Sequence, residues 1–367
     1  MQDLQDEIYM LWLSYMVGKI DSRKLNLILD VFGTAHAAFS ASGAELARAA
    51  SLSSRCVNLL CANRDLGGIQ KLREDLLSRG IQYFSKNHKK YPALLKEIPD
   101  PPIGIFCVGQ LPADTCYKIA IIGARKCSEY GLLTARTFAK PLAEANVVVV
   151  SGMARGIDSM AHRGAIMGGG KTIAVLGCGV DVCYPPENKD LRADIINSGC
   201  IISEYPPETT PFPAFFPARN RIISGLSHGV IVVEAGKKSG TLITVDQALD
   251  QGREVFAVPG TISSKLSEGT NQLIKDGATF ASSYKDILDA LGIDLEQAAK
   301  EKKEQKSNIF LALDEKQVYD VLDFNPLSID ELVKKTGLAL GRLILLCTQL
   351  ETKGFIRKLQ GSRYVRS

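Results

Sequence analysis

The sequence predicts an α/β protein. A parallel sheet buried on both faces is preceded by a helical segment and followed by a small unit of three helices and a β-ribbon. Three observations predict it. Short β-branched runs recur between residues 118 and 258, with helix-length stretches between them. Nearly every run ends in a loop rich in glycine or proline. At 367 residues the chain exceeds what one core normally serves, so two or three domains are expected.

The first segment, residues 1–80, reads as helical. Leu25, Leu27, Ile28, Leu29, Val31 and Phe32, then Leu46, Leu52, Val57, Leu59 and Leu60, recur at helical spacing, with breaks at Gly33-Thr34 and Ser51–Ser54. Helix–turn pairs of this kind can grip a sugar-phosphate backbone through turn amides. These turns carry only Arg48 and Arg55, so a packing role is favoured. The stretch Ile8–Val17 follows Asp3, Asp6 and Glu7 without a basic leader and reads as a packed helix, not a signal peptide.

Residues 81–292 carry the sheet, with strands expected at Lys118–Ile122, Val147–Ser151, Thr172–Leu176, Gly199–Ser203, Gly229–Val233 and Glu254–Val258. In open α/β sheets the ligand sits at the carboxyl ends of the strands, where strand order reverses. Residues 293–308 form a charged linker, and 309–367 a third unit. In that unit Glu315–Leu322 is amphipathic, Ser328 caps Ile329–Thr336, Gly337 stops that helix, and Gly341–Lys353 makes the next. Phe355–Lys358 and Ser362–Arg366 alternate like a hairpin, which completes a winged-helix arrangement.

Composition narrows the function. Apolar residues at 46% and charged residues at 23% exclude wholesale disorder. A net charge of 44 − 40 = +4 does not by itself mark a nucleic-acid binder. No apolar run approaches the roughly 20 residues of a membrane span. Nine cysteines form no Cys-x-x-Cys pair, and there are only four histidines. A reduced, cytoplasmic protein without metal or cofactor is therefore expected.

The loops carry the chemistry. Gly123-Ala124-Arg125-Lys126-Cys127-Ser128 follows the first strand and leads into a helix. Glycine permits a close turn, the helix N-terminus offers amides to an anion, and Arg125 offers a planar fork. Ser128 caps that helix or donates its hydroxyl. No Gly-x-Gly-x-x-Gly or Walker motif is present. The next loop supplies Arg155, with Asp158 placed to cap a helix. His162, four residues on, reads as a loop-tying group in preference to a catalytic base. Cys178 and Cys183 read as small buried residues.

Phe212, Phe215 and Phe216 lie beside Arg219, Asn220 and Arg221, pairing stacking surfaces with phosphate clamps as unpaired bases require. Each ring taken singly fits core packing equally well. Lys237 and Lys238 lead into Ser239-Gly240-Thr241, a second oxyanion cradle at a helix start. Glu234 is expected to hold Arg219 or Arg221 in place.

Several motifs in order closely resemble the DNA-processing protein DprA (Smf) family: Gly123–Gly131, Ser151–His162, Phe216–Ser227, Glu234–Thr244 and Gly269–Ala278. The resemblance is strong from about Tyr91 to Leu291. It is weaker for the helical segment, which is similar to the family's sterile-alpha-motif or helix-hairpin-helix-like domain. It implies an extended Rossmann fold that dimerises, binds incoming single-stranded DNA during natural transformation, protects it, and helps load a RecA-type recombinase in place of single-strand-binding protein. The family's phosphate-contacting arginine falls on Arg125, and its Arg-Asn-Arg and Ser-Gly-Thr positions fall on residues 219–221 and 239–241. Relatives place lysines near Pro186 and Pro213, where Lys189, Lys237 and Lys238 substitute here.

Two rival readings stand beside it. One is a nucleotide phosphoribohydrolase-like Rossmann enzyme. Aligning its Pro-Gly-Gly-x-Gly-Thr-x-x-Glu signature on Gly240-Thr241 puts Thr244 where the catalytic Glu belongs, which disfavours hydrolysis. The other is a winged-helix transcription regulator. Its recognition helix would be mostly apolar here, with Arg342 and Lys353 among the few groups able to reach a groove. With Arg357, Lys358 and Arg363 they are the tail's candidate DNA or protein contacts.

Overall fold

The computed structural model describes residues 2–293, 313–322, 326–352, 355–359 and 363–366. The charged linker, the turn at Asn325, the ribbon tip at Gln360-Gly361 and Lys353 lie outside the described residues. The chain forms two compact units, residues 1–299 and 300–367.

The first unit begins with six helices: α1 Gln2–Ser14, α2 Ser22–Phe32, α3 Ala35–Ser40, α4 Gly43–Ala49, α5 Ser54–Ala62 and α6 Leu66–Ser78. Short polar side chains start them. Asp21, Thr34, Ser42, Ser53 and Asp65 each accept a first-turn amide that has no partner within its helix. Gly33 ends α2 with a positive φ of 73°, and Thr34 at once caps α3, as the Gly-Thr break in the sequence predicts. Trp12 packs edge-on against Phe39 with ring centroids 5.1 Å apart. The core of these helices continues into one face of the sheet through Ile103, Phe106, Met153 and Leu176.

The sheet has nine strands: β1 Gln82–Ser85, β2 Gly104–Gly109, β3 Lys118–Ile122, β4 Val148–Ser151, β5 Thr172–Val175, β6 Cys200–Ser203, β7 Gly229–Val232, β8 Glu254–Ala257 and β9 Thr279–Phe280. Their order is β1-β2-β6-β5-β4-β3-β7-β8-β9. All six expected strands are present and pair in parallel, Ile119 facing Val149 on one side and Gly229 on the other. β3 to β7 are buried along their whole length, which is why their sequences run apolar without alternation.

The sheet extends beyond the expected one at both ends. β1 and β2 are antiparallel to each other, β2 is antiparallel to β6, and the two-residue β9 pairs with β8. β1 and β9, four and two residues long, carry no periodicity that separates them from loop or buried helix, and the six-residue β2 is framed by Pro101-Pro102 and Pro112, a setting that reads as loop.

Helices α8 Glu129–Glu144, α9 Ile157–Met167, α10 Lys189–Ser198, α11 Phe215–Gly225, α12 Gly240–Asp250, α13 Glu268–Lys275 and α14 Tyr284–Ala290 cover the sheet; a single turn, α7 Ala93–Lys96, precedes β2. From β3 the chain steps outward through β4, β5 and β6, then returns to β3's other edge for β7 and β8. The loops leaving β3 and β7 therefore diverge, and a crevice opens at the carboxyl edge between them.

In the second unit α15 Leu313–Val321, α16 Ile329–Thr336 and α17 Leu340–Thr352 pack around Val318, Leu332, Leu343 and Leu350. Ser328 and Glu331 make a capping box on α16, and Gly337 ends it in the left-handed conformation. Strands β10 Leu327–Ser328, β11 Ile356–Leu359 and β12 Arg363–Arg366 form a three-stranded sheet in the order β10-β12-β11, as a winged helix requires.

Candidate nucleic-acid interface

A cleft of about 660 Å³ lies at the predicted crevice. The loop after β3 contributes Gly123, Arg125 and Lys126, the helix after β7 contributes Ser239, Gly240 and Thr241, and α11 contributes Phe216, Arg219 and Asn220. Eight residues singled out in the sequence therefore converge: Gly123, Arg125, Phe216, Arg219, Asn220, Ser239, Gly240 and Thr241. Gly156 fixes the first loop from the side. Its φ is 75°, and a Cβ there would collide with the carbonyl oxygens of Ala124 and Arg125.

Arg125 is exposed, and its Cζ lies 5.3 Å from the centroid of Phe216. The Tyr184 ring stands 5.3 Å from Phe216 at an interplanar angle of 33°. The aromatic pair orients the guanidinium while leaving its charge in the cleft. Arg219 lies on the cleft floor, buried, with Nη1 donating to the carbonyls of Gly152 (3.0 Å) and Val175, and Nε donating to Asn220 Oδ1 at 3.2 Å. Burial pulls its pKa down to about 10, so it stays cationic at neutral pH. Asp158, also buried, accepts from the amides of Gly152 (3.2 Å) and Ala154 (3.4 Å), and burial raises its pKa. It ties the loop before α9, where a cap was expected; Gly156 occupies the N-cap. Across the cleft Ser239 caps α12, accepting from the Thr241 amide at 3.2 Å and donating to Thr241 Oγ1 at 2.9 Å. The Thr241 hydroxyl hydrogen is thereby directed away from Ser239.

The anion seat at the start of α8 is filled by the protein itself. Glu234, at the end of β7 and buried, accepts from the Ser128 amide at 2.9 Å and from the Ser128 hydroxyl. The carboxylate approaches so closely that a Cβ on Gly131 would strike it. Ser128, expected to cap the helix or to offer its hydroxyl to phosphate, caps α8 by accepting from Gly131 N at 3.1 Å and gives its hydroxyl hydrogen to Glu234. Glu234 therefore holds the Arg125 loop, and neither Arg219 nor Arg221 as the sequence suggested. Arg125 and the N-terminus of α12 are left lining the cleft.

Arg221 is a correction. It points out of the cleft, buried in a double ion pair with Glu204 (2.8 and 2.7 Å) and Asp100 (3.2 Å). Asp100 in turn accepts from Ser22 Oγ at 3.2 Å and Asn26 Nδ2 at 3.1 Å, so this network fastens α2 to the sheet. Burial opposes the guanidinium charge, but Glu204 and Asp100 outweigh it and raise the pKa.

Phe215 and Phe212 also lie outside the cleft. Phe215 stacks on Tyr205 at 4.2 Å, and Phe212 meets Phe215 edge-on at 5.5 Å. Arg155 is exposed and paired with Glu187. Lys189, Lys237 and Lys238 are exposed beyond the cleft lining. Lys126 and Tyr184 belong to the lining and were not singled out; a second cation beside Arg125 and an aromatic before a proline pair were the available signals. Cys178 is buried and Cys183 half-buried. In the second unit Arg342 is held by Asp314, and Arg357, Lys358 and Arg363 are exposed on the ribbon.

His162 is structural. Thr172 Oγ1 donates to the Val149 carbonyl at 2.7 Å, so it accepts from His162 Nδ1 at 2.7 Å, which leaves Nε2 buried as an acceptor without a partner. The histidine ties α9 to β5 and not to its loop. A proton on Nε2 would find no acceptor, and burial pushes the pKa down to about 3. Between pH 6.5 and 3 the unfolded chain binds a proton that the native chain refuses. Stability is therefore full above pH 6.5 and falls as pH drops, by about 1.4 kcal/mol per unit. In urea unfolding at pH 7 and pH 5, the parent should lose about 2 kcal/mol more than His162→Gln. Equal losses would contradict this assignment.

Residues 82–292 match the family model for DNA recombination-mediator protein A, and residues 301–362 match the DprA winged helix domain. The chain is 47% identical over 216 residues to DNA processing protein DprA of Streptococcus pneumoniae, covering 56% of this chain and 76% of that one. It is 37% identical over 286 residues to protein Smf of Escherichia coli, covering 75% of each. Its fold is similar to the X-ray structure of the Streptococcus pneumoniae protein, with a TM-score of 0.66 and 36% identity over 77% of this chain and 96% of that one. It is also similar to DNA processing protein A of Helicobacter pylori, solved for insight into that protein's single-stranded DNA binding mode, with a TM-score of 0.51 and 32% identity over 57% and 95%.

Proposed function

We infer the function from one premise: this chain belongs to the DprA (Smf) family of DNA recombination mediators. The cleft holds single-stranded DNA by its phosphates and performs no bond-breaking. The observation that carries this reading is the Arg125 guanidinium set over Phe216, opposite the capped start of α12. A planar cation and helix-terminal donors match phosphate, while the guanidinium plane and Tyr184 offer surfaces to an unpaired base. The Helicobacter pylori protein, studied for its single-stranded DNA binding, supports the same ligand here.

Two features support binding without catalysis. Thr244, buried in the cleft wall, stands where a phosphoribohydrolase needs its acid. Asp158, the carboxylate among the lining residues, is held by two loop amides. In this reading the protein protects incoming DNA during natural transformation and passes it to a RecA-type recombinase in place of single-strand-binding protein. It works as a homodimer in the cytoplasm; light scattering that reports a monomer at micromolar concentration contradicts the dimer. The exposed cations of the winged helix, Arg357, Lys358 and Arg363, assist DNA or protein contacts.

The test is a salt titration comparing single- and double-stranded oligonucleotides of the same length. Single-strand affinity should fall by about 0.7 log units per log unit of salt for each phosphate neutralised, and should exceed duplex affinity throughout. Equal affinity for both forms would overturn the reading.

A further inference from the structure

We propose that a groove on the far side of the residue 211–217 segment is a second base-binding subsite for the single strand held in the cleft. The proposal rests on the single-strand reading above. The groove, about 680 Å³, lies between residues 15–19, which follow α1, and residues 206–215, which follow β6.

Its chemistry is that of the cleft. Phe212 is 57% exposed and Tyr15 half-buried, and both line the groove with Phe215. The rings are held firmly, since Phe215 is stacked on Tyr205 and Phe212 abuts Phe215. Pro206 and Pro207 make a stiff wall, and exposed Lys19 supplies a cation at the rim. Aromatic faces beside a cation are a platform for successive unpaired bases, and they tolerate any sequence because every base has a π-face.

Continuity with the cleft identifies the occupant. The nearby carboxylates Asp181 and Glu208 share Arg79 with Asp75, Glu208 at 2.9 Å, so a phosphate chain would run along the Lys19 side of the groove, away from these acids. Phe212 lines the groove while the next residue, Pro213, lines the cleft; Phe215 and Phe216 divide in the same way. A strand leaving the cleft over Pro213 arrives at Phe212. The turn between α1 and α2 thereby contributes the Tyr15 and Lys19 side chains to DNA binding.

The test uses the full chain, oligo(dT) of 6 and 20 nucleotides, and the variants Phe212→Ala, Lys19→Ala and Arg125→Ala. Phe212→Ala should weaken binding of the 20-mer about tenfold and leave the 6-mer unchanged. Lys19→Ala should act in the same direction and lower the salt dependence of the 20-mer alone. Arg125→Ala should weaken both lengths. Photocrosslinking of a 5-iodouracil-substituted 20-mer should label Phe212 or Tyr15 from a position distinct from the one that labels Tyr184. If Phe212→Ala and Lys19→Ala leave the 20-mer untouched while Arg125→Ala weakens it, the second subsite is wrong and the cleft reading stands. If Arg125→Ala also has no effect, the cleft reading fails with it. Groove labelling by a proline-rich peptide in place of DNA would likewise overturn the proposal.

Discussion

Arg221→Ala should destabilise the protein by about 3–5 kcal/mol in urea unfolding. Arg221 is 8% exposed, and its guanidinium bonds both oxygens of Glu204, itself 2% exposed, together with Asp100. Removing it strands the buried carboxylate of Glu204, while half-buried Asp100 keeps its bonds to Ser22 and Asn26. The cost is the uncompensated charge and not the net worth of the ion pair, since two buried ions are desolvated to make it. Replacing the pair together, Arg221→Met with Glu204→Leu, should therefore recover most of the loss. The same protein, measured where it is folded, should bind single strands as the parent does, because Arg221 faces away from the cleft. A loss under 1 kcal/mol, or a binding defect as deep as that of Arg125→Ala, would restore Arg221 to the phosphate-clamp role its motif suggests.

Arg125→Ala should weaken single-strand binding at least tenfold, equally for every base sequence, with little change in stability. The side chain is exposed, and its contact with Phe216 is worth roughly 0.5–1 kcal/mol at such a site. A phosphate contact carries no sequence information, so a uniform loss is the signature of backbone recognition. The slope of log K against log salt should flatten by about 0.7, one phosphate on a single strand. Arg125→Lys should recover the slope but only part of the affinity, because an ammonium lacks the planar fork and stacks poorly on Phe216. Binding that changed its sequence preference instead would place Arg125 on a base edge.

The contrast between these two arginines shows how far the sequence is legible. Arg125 is readable because a glycine-rich loop between a β-branched run and a helix has one geometry in a parallel sheet, and its tip meets the ligand. Arg219 and Arg221 look equivalent in the sequence. They fall on one helix, α11, and residues two apart on a helix diverge by about 200°. Only one can face the cleft. The same geometry parts Phe215 from Phe216, about 100° apart on the first turn. The proline-flanked aromatic run reads as extended, which hides that rotation.

Other features lie outside local reasoning altogether. Glu234 meets Ser128, 106 residues away, and no pattern near either residue announces the pairing. The six parallel strands are legible because burial on both faces demands unbroken β-branched runs. β1, β2 and β9 extend the sheet at its two ends and lie outside the expected set: β1 and β9 have four and two residues, and the six-residue β2 sits among prolines and glycines.

The most direct measurement is a structure of the full chain with oligo(dT). The expected result is a phosphate bonded to the Arg125 guanidinium and to donors of Gly240 or Thr241, with an unpaired base against the Arg125–Phe216–Tyr184 stack and no cleaved product. A strand bound elsewhere while the cleft stays empty, or a hydrolysed nucleotide seated beside Thr244, would contradict it.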